Sequence, residues 1–381
     1  MNSMVSRLDG LAEVVRQHRT ELVECLTTVE TRSTAEVEVT WLSSALAPQE
    51  RAVTWMDRRR GVGTVYSALP ATLPVYSFLL FALAPALVGN RVVARPASAS
   101  RHCVELLAAL GARSGLAVQL VEGPWASFVD GARNEADAVV FCGSREHGQA
   151  LDALLPEQVR LVTQGPGVCA LVVAADADVV CAAEVAVATR LFNSSQDCLA
   201  TERVYVAEEI AGPFVDALVT VAAHLKVGPN ERADTRVGPL LLPEVAPRWM
   251  GSLEKYGDVL RPGVRHAVDL YDLAVVRTTA ESPVVLEETY CPVLPLVVYR
   301  SDSQLREMLA LGDFALGLTV FGSPPAFGTL DFAHVAIGRP LYAFENAWAP
   351  FGGHRFTTLV RTPTTRRSGP VLVPYVLSDP A

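Results

Sequence analysis

Several classes of chemistry lack their signature in this sequence. No GxxxxGK[ST] phosphate loop, no GxSxG elbow and no HExxH pair occurs, so P-loop, serine-hydrolase and zinc-protease mechanisms find no support. Seven cysteines, an odd number with no CxxC pair, do not read as a disulfide framework or as a metal cluster at ligand spacing. The expectation is a reduced, cytoplasmic chain in which most thiols act as small buried apolar groups. Basic residues number 32 against 41 acidic ones, a net charge of −9, which argues against nucleic acid as a partner. The N-terminus has no charged region followed by an apolar core and cleavage site. The most apolar stretch, Leu73 to Val88, carries Pro74 and Pro85 and falls short of the ~20 residues of a spanning helix. It reads as a buried helix, and no membrane association is expected.

What is present is a long, apolar, patterned chain. It has 381 residues, half of them hydrophobic and 19% charged, enough for two or three domains at roughly 100–200 residues each. Residues 5–31 read as an amphipathic helix and Thr34–Leu46 as a second one. Arg58-Arg59-Arg60 with Gly61 and Gly63 marks a basic break. Thr64–Ala68, Arg91–Ala94, Leu116–Val121 and Ala138–Cys142 read as strands, with helices at Leu73–Val88, Ala99–Leu110 and Phe128–Asn134 between them. That alternation predicts an α/β fold with a parallel sheet covered on both faces. Val168–Ala174 and Arg203–Val206 continue as strands, with one helix opened by the N-cap and first-turn acid of Asp176-Ala177-Asp178 and running to about Phe192, and another at Pro213–Leu225. In the Pro-rich tail, Pro370–Val376 looks strand-like and needs a pairing partner, in another subunit or a distant hairpin.

Two patterns mislead on inspection. Gly165-Pro166-Gly167-Val168-Cys169-Ala170 fits G-x-G-x-x-A, but a dinucleotide fingerprint must open a helix and this one opens an apolar strand. Glu287 and Glu288 are adjacent in an extended segment, so they point to opposite faces and do not work as a pair.

Three features stand in order along the chain. Phe141-Cys142-Gly143-Ser144, with Gly148 beyond, leaves a strand and opens a helix, where backbone amides and a hydroxyl can cradle an anion. Cys198 lies in the polar loop Asn193-Ser194-Ser195-Gln196-Asp197-Cys198, the setting in which a thiolate can be reactive. Glu288 lies in Leu286-Glu287-Glu288-Thr289-Tyr290-Cys291-Pro292, and Pro350-Phe351-Gly352-Gly353 follows near the end.

The stretches GNRVVARP, FCGSREHG, VVAADAD, FNSSQDCLATERVYV, LKVGP, TRVGPL, LEETYCPVLP, ALGLTVF and PFGG together resemble the aldehyde dehydrogenase superfamily, in the family's order. The resemblance implies a Rossmann-type dinucleotide-binding domain (1–57 and 70–166), an α/β catalytic domain (167–355) and a small oligomerisation flap with tail (58–69 and 362–381). It implies that Cys198 is the nucleophile, attacking an aldehyde to give a thiohemiacetal and then an acyl-thioester. Gly143, Ser144 and Gly148 fall on the pyrophosphate turn, Glu288 on the glutamate that contacts the nicotinamide ribose, and Phe351 in the PFGG segment. A homodimer is implied as well.

The departures from the family pattern are informative. The family's general-base glutamate, 34 residues before the cysteine, is Gln164 here, and a neutral amide is no general base near neutral pH. The oxyanion asparagine aligns with Thr72. The lysine that touches the adenosine ribose is Arg95, with Ser98 where NAD-preferring members often carry an acid. That pair leans toward NADP over NAD. The chain is short for the family, its first cofactor-domain strands and helix looking absent. The favoured expectation is an acylating or reductive enzyme, passing acyl groups between Cys198 and CoA, a carrier protein or phosphate. The alternatives are ordinary aldehyde oxidation with Glu202 or Asp197 recruited as base, and a non-redox transferase or pseudoenzyme on the same scaffold. The acyl or aldehyde substrate itself is not readable. Trp125, near the expected adenine cleft, is read as a packing residue.

Overall fold

The computed structural model describes residues 4–48, 53–323 and 332–381. Two seven-stranded sheets organise them. The first runs in the order Arg366–Ser368, Thr358–Arg361, Arg160–Gln164, Ala138–Cys142, Thr64–Ala68, Arg91–Arg95, Gln119–Leu120. Its inner pairs are parallel, with Tyr66 beside Val139 and Val140 beside Val162. The two strands from late in the chain are antiparallel, Thr358 lying opposite Gln164. The second sheet runs His334–Ile337, Gly317–Phe321, Cys169–Val173, Thr201–Ala207, Val293–Tyr299, Ala274–Arg277, Asp258–Arg261.

The inner strands are almost wholly apolar, as strands buried on both faces must be. Cys169–Val173 and Gly317–Phe321 are buried at every position. Chain order reverses in the first sheet between Thr64–Ala68 and Ala138–Cys142, because the strands at 91–95 and 119–120 lie on one side and that at 160–164 on the other. The crevice beyond the carboxyl ends of such strands is where ligands bind in open α/β sheets.

The N-terminal segment is two helices, Met4–Gln17 and Arg19–Leu26, rather than one over 5–31. His18 leaves helical geometry at φ −103°, ψ 17°. With helix Arg32–Leu46 these bury Leu8, Leu11, Leu22, Leu26 and Leu42 against the core that includes Phe78 and Leu107. The apolar stretch is helical as expected, Pro74–Leu87, with a π turn over Leu79–Leu83. The wide turn sits just before Pro85, whose ring would otherwise press on the carbonyl four residues back. Gly89 closes it at φ +94°, a conformation glycine adopts without strain. Among the described residues no helix is long and apolar enough to cross a membrane.

Three expectations change. The strand at Leu116–Val121 shrinks to Gln119–Leu120 at the sheet edge. Thr64–Ala68, expected in a flap, is an inner strand of the first sheet, and the tail segment Arg366–Ser368 is that sheet's opposite edge. Pro370–Val376 is not a strand. Val371 forms an isolated bridge to Phe351, and Val373–Val376 is a helical turn with Pro374 in its first positions, where proline is preorganised for a helix. The pairing strand is instead Ser378–Pro380, and its partner is Arg59–Gly61 of the same chain.

Candidate active site

Strand Arg160–Gln164 ends the first sheet's parallel set, and strand Cys169–Val173 begins the second sheet. Residues 165–168 cross between them. Cys198 lies three residues before strand Thr201–Ala207, whose Thr201 pairs with Cys169. The crossing segment and the cysteine loop therefore meet where the two sheets join.

Gly167 is the meeting point. A Cβ there would lie 1.9 Å from the Cys198 carbonyl oxygen, so any side chain is excluded. Its amide donates to Glu288 Oε1 at 2.9 Å. The glycine that imitates a dinucleotide fingerprint is thus required by the close approach of the Cys198 backbone. Cys169 Sγ also donates to the Cys198 carbonyl, at 3.3 Å. Cys198 is partly buried and packs with Cys169, Leu199, Leu316, Leu341 and Phe351.

The loop that delivers Cys198 is strained. Asn193, Ser194 and Ser195 all have left-handed backbone, φ +47°, +53° and +73°, which non-glycine residues rarely adopt. Side chains hold it. Asn193 Nδ2 donates to the Gln196 carbonyl at 3.2 Å, Ser194 Oγ accepts from Gly238 N at 2.9 Å, and Gln196 Oε1 accepts from Leu241 N and Leu242 N at 2.9 and 3.1 Å. Ser195 Oγ is buried with no hydrogen-bond partner among the described residues.

Gln164 is buried at the same junction. Its Oε1 accepts from Thr358 Oγ1 at 2.7 Å, and its Nε2 donates to the Phe351 carbonyl at 3.5 Å. Thr358 Oγ1 in turn accepts from Gly353 N at 2.9 Å. The PFGG segment is therefore wired to the Gln164 side chain. Phe351 stacks on His334, with ring centroids 5.7 Å apart.

Burial pushes the Cys198 thiol well above its usual value, and the charges of Asp197 and Glu288 add to that. Glu288 is itself pushed up to about 8, first by burial and then by Glu202. Asp197 is pushed up to about 7 by burial, while its Oδ1 accepts from Leu199 N at 2.8 Å. Of the two acids considered as a substitute base, Glu202 is committed elsewhere. It forms a buried pair with Arg190 at 2.8 Å and accepts from Thr289 Oγ1 at 3.0 Å.

Thr72 lies in the bend before the helix that starts at Pro74, and its carbonyl accepts from Ser77 Oγ at 3.5 Å. Among the described residues no hydrogen bond joins its hydroxyl to Cys198.

The remaining expected residues lie at the carboxyl ends of the first sheet's strands, beside the reversal of strand order. Gly143 is exposed and donates its amide to the Gln164 carbonyl at 3.0 Å. A Cβ on it would come 2.7 Å from Phe141 Cζ. Ser144 caps helix Arg145–Leu154, its Oγ accepting from His147 N at 3.4 Å. Gly148 is buried one turn into that helix, where a Cβ would lie 3.5 Å from Thr163 Cγ2, so it serves close packing of helix on strand. Arg95 donates Nη2 to the Gly123 carbonyl at 3.3 Å, while its Nε is buried with no hydrogen-bond partner among the described residues. Ser98 is exposed at the start of a short 3-10 turn. Trp125 stacks on Phe128 at 5.3 Å and lies 5.7 Å from Phe141, with the Arg95 guanidinium 5.7 Å from its ring. An open helix start beside an arginine with an unused donor suits a dinucleotide's phosphates.

Sequence reasoning missed Gly167 and Thr358. Gly167 carried a signal, a glycine in an otherwise apolar strand entry. Thr358 carried none, since it reaches Gln164 across 194 residues.

A family model described as the aldehyde dehydrogenase family matches residues 6–362. A 3-sulfolactaldehyde dehydrogenase of Pseudomonas putida is 28% identical over 323 residues, 79% of this chain and 65% of that protein. A glutarate-semialdehyde dehydrogenase of Pseudomonas aeruginosa is 26% identical over 301 residues, 73% of this chain and 61% of that protein. The chain thus spans less than two thirds of either relative. Among solved structures, a glyceraldehyde-3-phosphate dehydrogenase from Methanocaldococcus jannaschii, complexed with NADP, superposes with TM-score 0.86 at 20% identity over 99% of this chain and 88% of that one. A succinic semialdehyde dehydrogenase from Streptococcus pyogenes, complexed with NADP+, gives 0.87 at 17% identity, with the same two coverages of 99% and 88%. Both share the fold.

Proposed function

Because this chain belongs to the aldehyde dehydrogenase family, we propose that it is an NAD(P)-dependent enzyme that forms an acyl-thioester on Cys198 and passes the acyl group to or from a thiol or phosphate rather than to water. One observation carries this reading: the general-base position holds Gln164, a neutral amide tied to Thr358 and to the Phe351 carbonyl. Such a side chain takes no proton from water. A thioester on Cys198 then persists until a better nucleophile arrives, such as CoA or a carrier-bound thiol. In the reverse direction the same chemistry reduces an acyl thioester or acyl phosphate to an aldehyde.

Cys198 must lose its proton before its sulfur attacks a carbonyl carbon. Glu288 and Asp197, both raised toward neutrality by burial, are the carboxylates whose charges act on that thiol. The Cys198 backbone amide would stabilise the oxyanion formed on attack. Arg95, Gly143 and Ser144 would hold the dinucleotide, and Glu288 its nicotinamide ribose. Bound, that cofactor accepts the hydride in oxidation and returns it in reduction. Arg95 beside the small Ser98 favours NADP, since an arginine fork suits a ribose phosphate.

A second reading is ordinary oxidation of an aldehyde to its acid. It is favoured by Asp197, a carboxyl immediately before the nucleophile and pushed up to about 7, a suitable value for a base at neutral pH. The relatives above are named as dehydrogenases of aldehydes and semialdehydes.

The test is product analysis. The full chain is given NADPH with an acyl-CoA, and separately NADP+ with short aldehydes, with and without added CoA. The first reading expects nicotinamide oxidation with acyl-CoA and thiol-dependent turnover with aldehydes. Free acid released at full rate without any added thiol would replace it with the second. No nicotinamide turnover in either direction would remove both.

A further inference from the structure

The sequence has no cysteine and histidine at ligand spacing, yet the fold builds such a cluster from distant parts. Cys25 lies in helix Arg19–Leu26. His102 and Cys103 lie in the first turn of helix Arg101–Arg113. Cys25 Sγ is 3.5 Å from Cys103 Sγ, and Cys103 Sγ is 3.4 Å from His102 Nε2. The three donor atoms all lie within 4.8 Å of one another.

Two of those separations, 3.5 and 3.4 Å, match the edges of a coordination tetrahedron, and the third pair, Cys25 Sγ with His102 Nε2, lies within 4.8 Å. With metal–sulfur bonds of about 2.3 Å and metal–nitrogen bonds of about 2.0 Å, neighbouring ligand atoms stand roughly 3.4–3.8 Å apart. A disulfide needs its sulfurs at about 2.05 Å, well inside the spacing found. Cys103 is buried, Cys25 partly buried and His102 exposed, so the sulfurs sit in the helix interface and the imidazole stands at its mouth. Thr28 Oγ1 lies 2.6 Å from His102 Nε2 and donates to the Cys25 carbonyl at 2.7 Å, so it holds the nitrogen that a cation would take and must release it on binding.

We propose that Cys25, His102 and Cys103 bind one divalent, thiophilic cation of the zinc type, with water in the fourth position. Binding replaces protons. Each thiol forms a metal–sulfur bond and releases its proton to solvent, and His102 binds through Nε2 as the neutral ring, so that two protons leave per cation. The cation joins helix Arg19–Leu26 to helix Arg101–Arg113. These elements share one apolar core through Leu22, Leu26, Val104 and Leu107. The site uses none of the residues around Cys198, and its role is to clamp the N-terminal helices to the first sheet's flank.

The test uses the full chain carrying Cys198→Ala, so that the reactive thiol does not compete. Cobalt(II) is titrated without oxygen as the optical probe. One equivalent is expected to give the intense visible bands and sulfur-to-cobalt charge transfer of a tetrahedral thiolate site, with zinc displacing it. The pair Cys25→Ser with Cys103→Ser should abolish the bands, and His102→Ala should weaken binding by roughly tenfold or more. A second measurement needs no variant at the cluster: zinc should slow alkylation of Cys25, followed peptide by peptide in mass spectra, while leaving Cys181 unaffected. Absence of the cobalt bands, their survival in the double-serine variant, or alkylation of Cys25 at an unchanged rate would overturn the proposal. So would a Cys25–Cys103 disulfide formed in air by protein that takes up no cobalt.

Discussion

Thr358 Oγ1 donates a 2.7 Å hydrogen bond to Gln164 Oε1, so a strand from late in the chain holds the side chain that we propose stands in the general-base position. The same amide turns its Nε2 toward the Phe351 carbonyl. A carboxylate in its place would keep the threonine bond and oppose the carbonyl, which raises its proton affinity. Gln164→Glu is therefore expected to increase release of free acid from the acylated enzyme by about 10²-fold. Quenched-flow analysis of acid against thioester product checks it. An unchanged partition would show that Gln164 does not occupy the base position.

Cys198→Ala should remove covalent labelling by acyl donors and lower turnover by on the order of 10³-fold or more. Intact-mass spectra after incubation with an acyl-CoA give the first readout, and steady-state rates the second. Cys169→Ala, next to the Cys198 carbonyl, should retain the label, which separates the nucleophile from its neighbour.

Glu202 and Arg190 form an ion pair with side chains 1% and 0% exposed. Removing one partner leaves the other charge buried and unpaired. Glu202→Ala should cost about 3–5 kcal/mol of stability, read from the denaturant midpoint. If Glu202 were also the deacylating base, the variant would in addition lose acid release from the acylated enzyme under conditions where it remains folded.

Ser195 holds φ +73° with a buried, unpartnered hydroxyl. Ser195→Gly relieves both, and should raise stability by about 1 kcal/mol. A higher melting temperature with Cys198 still reactive toward iodoacetamide is the expected result.

Glu30 and Glu38 are buried carboxyls that interact with each other. Burial pushes both up, Glu38 to about 7. A carboxyl of the unfolded chain ionises near 4.5, while Glu38 in the fold stays protonated to about 7. Stability from this group is thus complete below about 4.5 and falls as pH rises toward 7, because only the unfolded chain has released the proton there. Glu38→Gln should flatten the melting temperature over that window, and the variant should gain on the parent most at its upper end. Parallel pH profiles of the two proteins would contradict this.

Much of the fold was legible because its inner strands are short apolar runs bounded by turn residues, as at Ala138–Cys142, and because acid-bearing turns such as Asp176-Ala177-Asp178 mark helix starts, the cap proving to be the second acid. Asp178 Oδ1 does accept from Val180 N and Cys181 N. The tail was misread because Val371-Leu372-Val373 has strand composition, while Pro374 one residue on sets the chain for a helical turn. The alternating pattern put Thr64–Ala68 in the parallel sheet, where it lies, while the family resemblance drew the flap's bounds across it. Cys198 was singled out by its polar loop, and Gln164 by the family resemblance, which sets a glutamate 34 residues before that cysteine; their roles are those proposed above. The ties that hold them, through Thr358 and Glu288, span parts of the chain too far apart for spacing to reveal. The cluster at Cys25, His102 and Cys103 was invisible for the same reason.

The antiparallel strands at 358–361 and 366–368 lie on the first sheet beside Arg160–Gln164, and this has a temporal meaning. During synthesis the strand at 160–164 emerges long before its outer neighbour exists. The ribosome must deliver nearly the whole second sheet while that edge stays bare, and a bare edge invites pairing with another nascent chain. Vectorial folding therefore finishes back at the first sheet, and a polypeptide interrupted before residue 358 would carry a complete nucleophile loop beside an unsealed sheet.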